Sequence, residues 1–142
     1  MVQLLTDAGG KGGVTRADIE KLLPHFYASV RRNERLGPIF HKYIGENDAD
    51  WAPHFARIGD FWVNVMLQER AYQGNPMQVH LCIPEIRSED FEIWLGLFDK
   101  AASEVLSQEK AAAFSLFAHR IGRSLAMGIA QARSDGPPSL RV

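Results

Sequence analysis

Apolar residues recur along this chain at gaps of three and four, the period of helices that bury one face. The pattern is densest between Asp50 and Gln68, where Trp51, His54, Phe55, Ile58, Phe61, Trp62, Val65 and Met66 fall on one side. Thr15, with Asp18 three residues on, has the form of a capping box. The helix it opens buries Ile19, Leu22, Leu23, Phe26, Tyr27 and Val30, with Pro24 as a kink or junction inside it. Gly37 is expected to break that helix and Pro38 to start a short turn carrying Ile39, Phe40 and Tyr43 inward until Gly45. Asn47, Asp48 and Asp50 are the candidate caps of the Trp51 helix. Between Pro76 and Pro84 there is room for one or two helical turns, and His80 sits in them. Ser88 is expected to cap a helix burying Phe91, Trp94, Leu95, Phe98, Ala101, Ala102 and Val105. Ser107 is expected to cap a last, long helix burying Phe114, Phe117, Ile121, Leu125 and Ile129. Nothing alternates with period two for the length of a strand, and no internal repeat occurs. The expected fold class is all-α.

Composition adds limits. The 142 residues suit one domain, 1–142, with a glycine-rich lead-in to about residue 14 and a frayed tail over about 134–142. With 16 basic and 17 acidic side chains well mixed, no basic stripe marks a nucleic-acid partner. No apolar run is long enough to span a membrane, and no signal peptide is evident. The single cysteine, Cys82, excludes an intrachain disulfide and a Cys-x-x-Cys-His haem attachment, and fits the cytoplasm. Two residues beyond His80, it reads as a small buried hydrophobe.

The five histidines form no H-x-x-x-H or H-E-x-x-H pair, so zinc and di-iron readings are weak. Taken singly, His54 and His80 read more readily as core or surface residues than as ligands. Tyr27 and Trp94 likewise read as core aromatics whose polar tips reach a partner. Together, however, two histidines on consecutive segments of a small, Phe- and Trp-rich all-α chain match an arrangement that clamps a haem.

The order Phe26-Tyr27, LGPIF, WAPHFARIGDFW, GNPMQVHL and FEIWLGLF resembles the truncated haemoglobins (2-on-2 globins), and within them group III, from about Thr15 to about Ile129. The Gly-Gly loop pairs of the other two groups are absent outside the lead-in, as group III leads one to expect. The resemblance implies a truncated-globin helical sandwich around non-covalent haem b. It makes His80 the proximal iron ligand and Phe40 the phenylalanine packed on the porphyrin. Tyr27, His54 and Trp94 become the distal groups around bound ligand. Ile58 would pack over the haem face, Trp62 would line its edge, and Arg57 would reach a propionate.

The function implied is binding of O2, CO, NO or peroxide in a polar pocket. Reactive-ligand chemistry of the NO dioxygenase or peroxidase kind is expected ahead of bulk storage, with an unidentified reductase as partner and the chain a monomer or weak dimer. A haem-based gas or redox sensor acting through a partner and a haem-free helical interaction module are the alternatives.

Overall fold

The structure, a computed structural model, describes residues 10–135. Thr15 starts the first helix through the expected reciprocal cap. Its hydroxyl accepts the Asp18 N–H at 3.3 Å, and the Asp18 carboxylate accepts the Thr15 N–H at 2.9 Å. Helix α1, Arg16–Arg32, buries all six residues its period predicts. Pro24 neither breaks nor divides it: the ring lies on the exposed side, where the carbonyl it leaves unpaired, that of exposed Glu20, can turn to water.

The Asn33 side chain accepts the N–H groups of Arg35 and Leu36, both at 2.9 Å, and turns the chain into α2, Leu36–Tyr43. Gly37 is therefore inside α2 and not a breaker between helices. A Cβ there would meet the Arg31 carbonyl at 2.6 Å, so glycine lets α1 and α2 close on each other. Ile39 is buried and Phe40 half-buried, but Tyr43, expected inward, is 44% exposed. The reason is a partner distant in sequence: its hydroxyl donates to Glu85 at 2.5 Å.

Asn47 is the cap position of α3, Asp48–Leu67, where the Asp50 carboxylate accepts the Asn47 N–H at 3.3 Å. Helix α4, Pro76–Leu81, is capped by Asn75, whose side chain accepts the Gln78 N–H at 3.1 Å. Helix α5 spans Asp90–Val105 and α6 spans Gln108–Asp135. Ser107 caps α6, accepting the Lys110 N–H at 3.3 Å. Ser88 does not cap α5; its hydroxyl donates to Glu89 at 2.7 Å, and the free N–H of Arg87 goes to the Asp90 carboxylate at 2.8 Å.

Helix α1 packs against α2, α3 and α5, α5 against α6, and α4 lies on α6. The result is a helical sandwich with no strand among the described residues. Its centre is aromatic. Trp62 of α3 stacks on Phe98 of α5 with centroids 5.3 Å apart, Phe98 stacks on Trp94 at 5.5 Å, and Phe26 of α1 meets Phe98 edge-on at 5.1 Å. Phe114 of α6 closes the group 5.6 Å from Trp62. Each such pair adds about 0.5–1.5 kcal/mol beyond its burial, so this cluster ties four helices at one point.

Of the expected lead-in, only residues 10–14 are described. Residues 1–9 lie outside the described residues, but Val14 is fully buried and the Lys11 ammonium donates to the Val65 carbonyl at 2.7 Å. At the other end α6 runs on to Asp135, and the remainder of the expected tail lies outside the described residues. Among the described residues no helix is long and apolar enough to cross a membrane.

Candidate functional site

A cavity of about 690 Å³, within the range of small-molecule sites, is lined by residues from all six helices. Tyr27, Phe40, His54, Arg57, Ile58, Trp62, His80 and Trp94, the residues singled out in the sequence, all line it. They come from five helices, so only the fold brings them together.

His80 is built by its own short helix. Asn75 and Pro76 start α4, and Met77 seats that helix on α6 where Gly128 leaves room; a Cβ on Gly128 would meet the Met77 methyl at 2.4 Å. One turn after Pro76, the His80 Nδ1 lies 2.6 Å from the Pro76 carbonyl. A carbonyl can only accept, so Nδ1 carries the proton, and in the neutral ring Nε2 is left with its lone pair. This is how a metal-binding imidazole is usually oriented. The ring also meets Phe91 of α5 with centroids 5.8 Å apart.

A second group of polar atoms gathers from α1, α3 and α5. Tyr27 is 2% exposed, and burial pushes its hydroxyl well above the ordinary tyrosine pKa, with the facing Trp94 indole N–H opposing part of the rise. Its ring lies edge-on to His54 at 5.3 Å, and Phe40 and Trp51 complete the aromatic wall at 5.9 and 5.6 Å from Tyr27. His54 Nε2 is buried without a hydrogen-bond partner. Burial, with the Arg57 charge behind it, pulls the His54 pKa down to about 4. His54 thus lines the cavity as a neutral imidazole, with its Nε2 shut off from solvent and unpaired among the described residues. Trp62 has a double role: its indole is 1% exposed inside the aromatic core, and one edge reaches the cavity. Ile58 is half-buried. Arg57 is exposed at the cavity wall, its guanidinium 5.6 Å from the Tyr72 ring centroid.

Tyr43, Tyr72, Ile86, Asp90 and Phe91 also line the cavity, and sequence reasoning did not assign them to it. Phe91 has a helical period that places it inside without saying which side of the core it faces. The others sit in or beside loops, where no period exists. Asn64 holds one of these loops by accepting the N–H groups of Ala71 and Tyr72 at 2.8 and 3.1 Å. Cys82, expected to be buried, is exposed, because the chain leaves α4 at that residue and no helix covers it.

Among the described residues no three metal-ligating side chains cluster. Any metal reached by His80 must therefore bring most of its own ligands, as iron in a planar macrocycle does. The apolar aromatic walls and the His80 imidazole, its Nδ1 held by the Pro76 carbonyl, fit such a group. With a helical sandwich around it, the cavity has the size and lining to take a haem, as in the globin class.

No family model matches the chain. It is 42% identical over 96 residues to the group 3 truncated haemoglobin Ctb of Campylobacter jejuni, an alignment covering 68% of this chain and 76% of that protein. The fold matches the crystal structure of group III truncated haemoglobin from Campylobacter jejuni with a TM-score of 0.79 and 35% identity, over 87% of this chain and 96% of the other. The chain belongs to the group III truncated haemoglobins.

Proposed function

We propose that this chain holds haem b non-covalently through His80 and uses Tyr27, Trp94 and His54 to handle reactive diatomic ligands or peroxide. As a group III truncated haemoglobin it is a haem protein that binds diatomic gases. The finer reading rests on one observation: three polar side chains meet at the wall formed by α1, α3 and α5, while His80 enters the cavity from α4.

Haem, when bound, supplies an iron that takes a small ligand and exchanges one electron. His80 Nε2 is the group that would hold it, kept in aim by the Pro76 carbonyl. Phe40 and Ile58 are the apolar surfaces for the macrocycle, Trp62 borders its edge, and Arg57 is the cation available to a propionate. The Tyr27 hydroxyl and Trp94 N–H can donate to a ligand that acquires negative charge. Each hydrogen bond to a charged acceptor contributes about 1.5–3 kcal/mol. His54 stays neutral at physiological pH, so it can give or take one proton-sharing bond without bringing a charge into the pocket.

Three polar groups around a small ligand favour chemistry in which charge builds up on it over simple storage. A bound haem would supply the one electron needed to combine oxygen and nitric oxide into nitrate, and a separate reductase would have to return that electron for each turnover. The exposed thiol of Cys82 fits the reducing cytoplasm. Membership of the family sets aside a haem-free interaction module, and no observation favours a sensor acting through a partner. Rapid mixing of the ferrous protein, equilibrated with oxygen, against nitric oxide tests the reading. The expected result is stoichiometric nitrate and ferric protein faster than oxygen dissociates. Conversion limited by oxygen dissociation would overturn it.

A further inference from the structure

The segment after His80, residues 82–89, has no regular structure, yet it supplies Ile83 and Ile86 to the cavity. Side chains from elsewhere hold it. Arg133 of α6 donates to the carbonyls of Ile83, at 2.9 Å, and Ile86. Lys42 and Tyr43 of α2 meet the Glu85 carboxylate. The most connected tie is Arg35, at the corner between α1 and α2. Its Nε and one Nη donate to the two oxygens of Asp90 at 2.8 and 2.9 Å, and that Nη also donates to the Glu85 carbonyl at 2.6 Å.

Asp90 is 6% exposed, lines the cavity and opens α5. Burial alone would raise its pKa, but the Arg35 fork and the Arg87 N–H hold it below the ordinary value, so it is a carboxylate. Its neighbours in the helix reach both groups of the pocket. Phe91, the next residue, touches the His80 ring, and Trp94, one turn further, faces the Tyr27 hydroxyl. The guanidinium thus fixes the strand of chain leaving His80 and the register of the helix carrying Trp94.

We propose that Arg35 and Asp90 are positioning residues that couple the His80 side of the pocket to the Tyr27–Trp94 side. This rests on the haem reading of the site. Neither residue need touch the ligand; each acts through Phe91, Trp94 and the 82–89 segment. A lysine keeps the charge of Arg35 but cannot span two carboxylate oxygens and a carbonyl with fixed geometry.

The test compares the full chain with Arg35→Lys and Asp90→Asn, with Arg16→Gln, at an exposed ion pair with Glu69, as control. In the haem-loaded ferrous proteins the iron–histidine vibration and the stretching band of bound CO should both shift from their wild-type positions in the two variants and stay in place in the Arg16→Gln control. A purely structural role lowers the melting temperature and leaves both bands in place, and that result overturns the proposal. Hydrogen exchange on the haem-free chain adds a readout independent of haem. Amides of residues 83–89 and of the first turn of α5 should exchange faster together in Arg35→Lys; unchanged exchange in both segments overturns the proposal. If the wild-type chain took up no haem, the reading of His80 would fall, while the exchange pattern would still decide whether Arg35 orders both segments.

Discussion

The ring of His80 is locked to the carbonyl of Pro76, one turn earlier in the same six-residue helix, at 2.6 Å. Pro76 stands at the first helical position, where its missing N–H costs the helix nothing, and its carbonyl accepts the ring N–H one turn on. A single turn therefore sets both where the imidazole is and which nitrogen it presents.

On the other side of the site, Tyr27→Phe removes one donor and leaves the aromatic wall intact. Oxygen dissociation should rise by about 10- to 150-fold, the factor for one hydrogen bond to a charged acceptor. Stopped-flow displacement of oxygen by CO measures it. An unchanged rate means the hydroxyl does not face the ligand.

Tyr27 also predicts an alkaline signature. Its folded-state pKa is raised from 10.0 by burial, so the neutral ring contributes stability that is complete below pH 10. Above pH 10 the unfolded chain ionises first and that contribution is progressively lost. Denaturant unfolding of the haem-free protein at pH 8 and pH 11 should show a larger fall for wild type than for Tyr27→Phe.

His54 gives the acid counterpart. In the unfolded chain it takes a proton near pH 6.5, in the haem-free fold only near about 4. The unfolded state binds more protons in between, so the neutral ring's contribution is present above pH 6.5 and disappears as pH falls through about 4. Between pH 7 and pH 5 the loss is at most roughly 2 kcal/mol, less once partial solvent access is allowed for. His54→Leu, which also removes the unpartnered Nε2, should flatten this slope in denaturant titrations; an equally steep slope would show that His54 is not its source.

Asn64 holds the loop between α3 and α4 by two backbone N–H groups. Replacing it with alanine leaves the Tyr72 N–H unpaired and the Ala71 N–H with only the Glu69 carbonyl at 3.0 Å, and should cost about 1–3 kcal/mol. Thermal unfolding measures the cost, and hydrogen exchange should place the loosened amides at Ala71 and Tyr72. Because Tyr72 backs Arg57, haem should also leave Asn64→Ala faster than wild type in transfer to an excess of apomyoglobin.

What the sequence makes legible follows from where a period exists. Helices α1, α5 and α6 recur at three and four over several turns, so their buried faces are readable residue by residue, and the Thr15–Asp18 and Ser107 caps are local. The eight lining residues singled out in the sequence are legible mainly through the family order of short motifs, since each helix alone reads as an ordinary amphipathic one. The Arg35–Asp90 tie is invisible because its partners are 55 positions apart, one in the turn between α1 and α2 and the other at the very start of α5. Ser88 has the composition of a cap, but Asp90 accepts the nearby N–H group instead. Tyr43 and Cys82 look like core residues by type and are exposed, because their surroundings are loops contributed from elsewhere in the chain.

The most direct test of the account is haem retention by His80→Gly with and without added imidazole. The account predicts a Soret band in wild type, loss of tightly held haem in the variant, and its return when imidazole fills the vacated place. Haem content and spectrum unaltered by the substitution would contradict it.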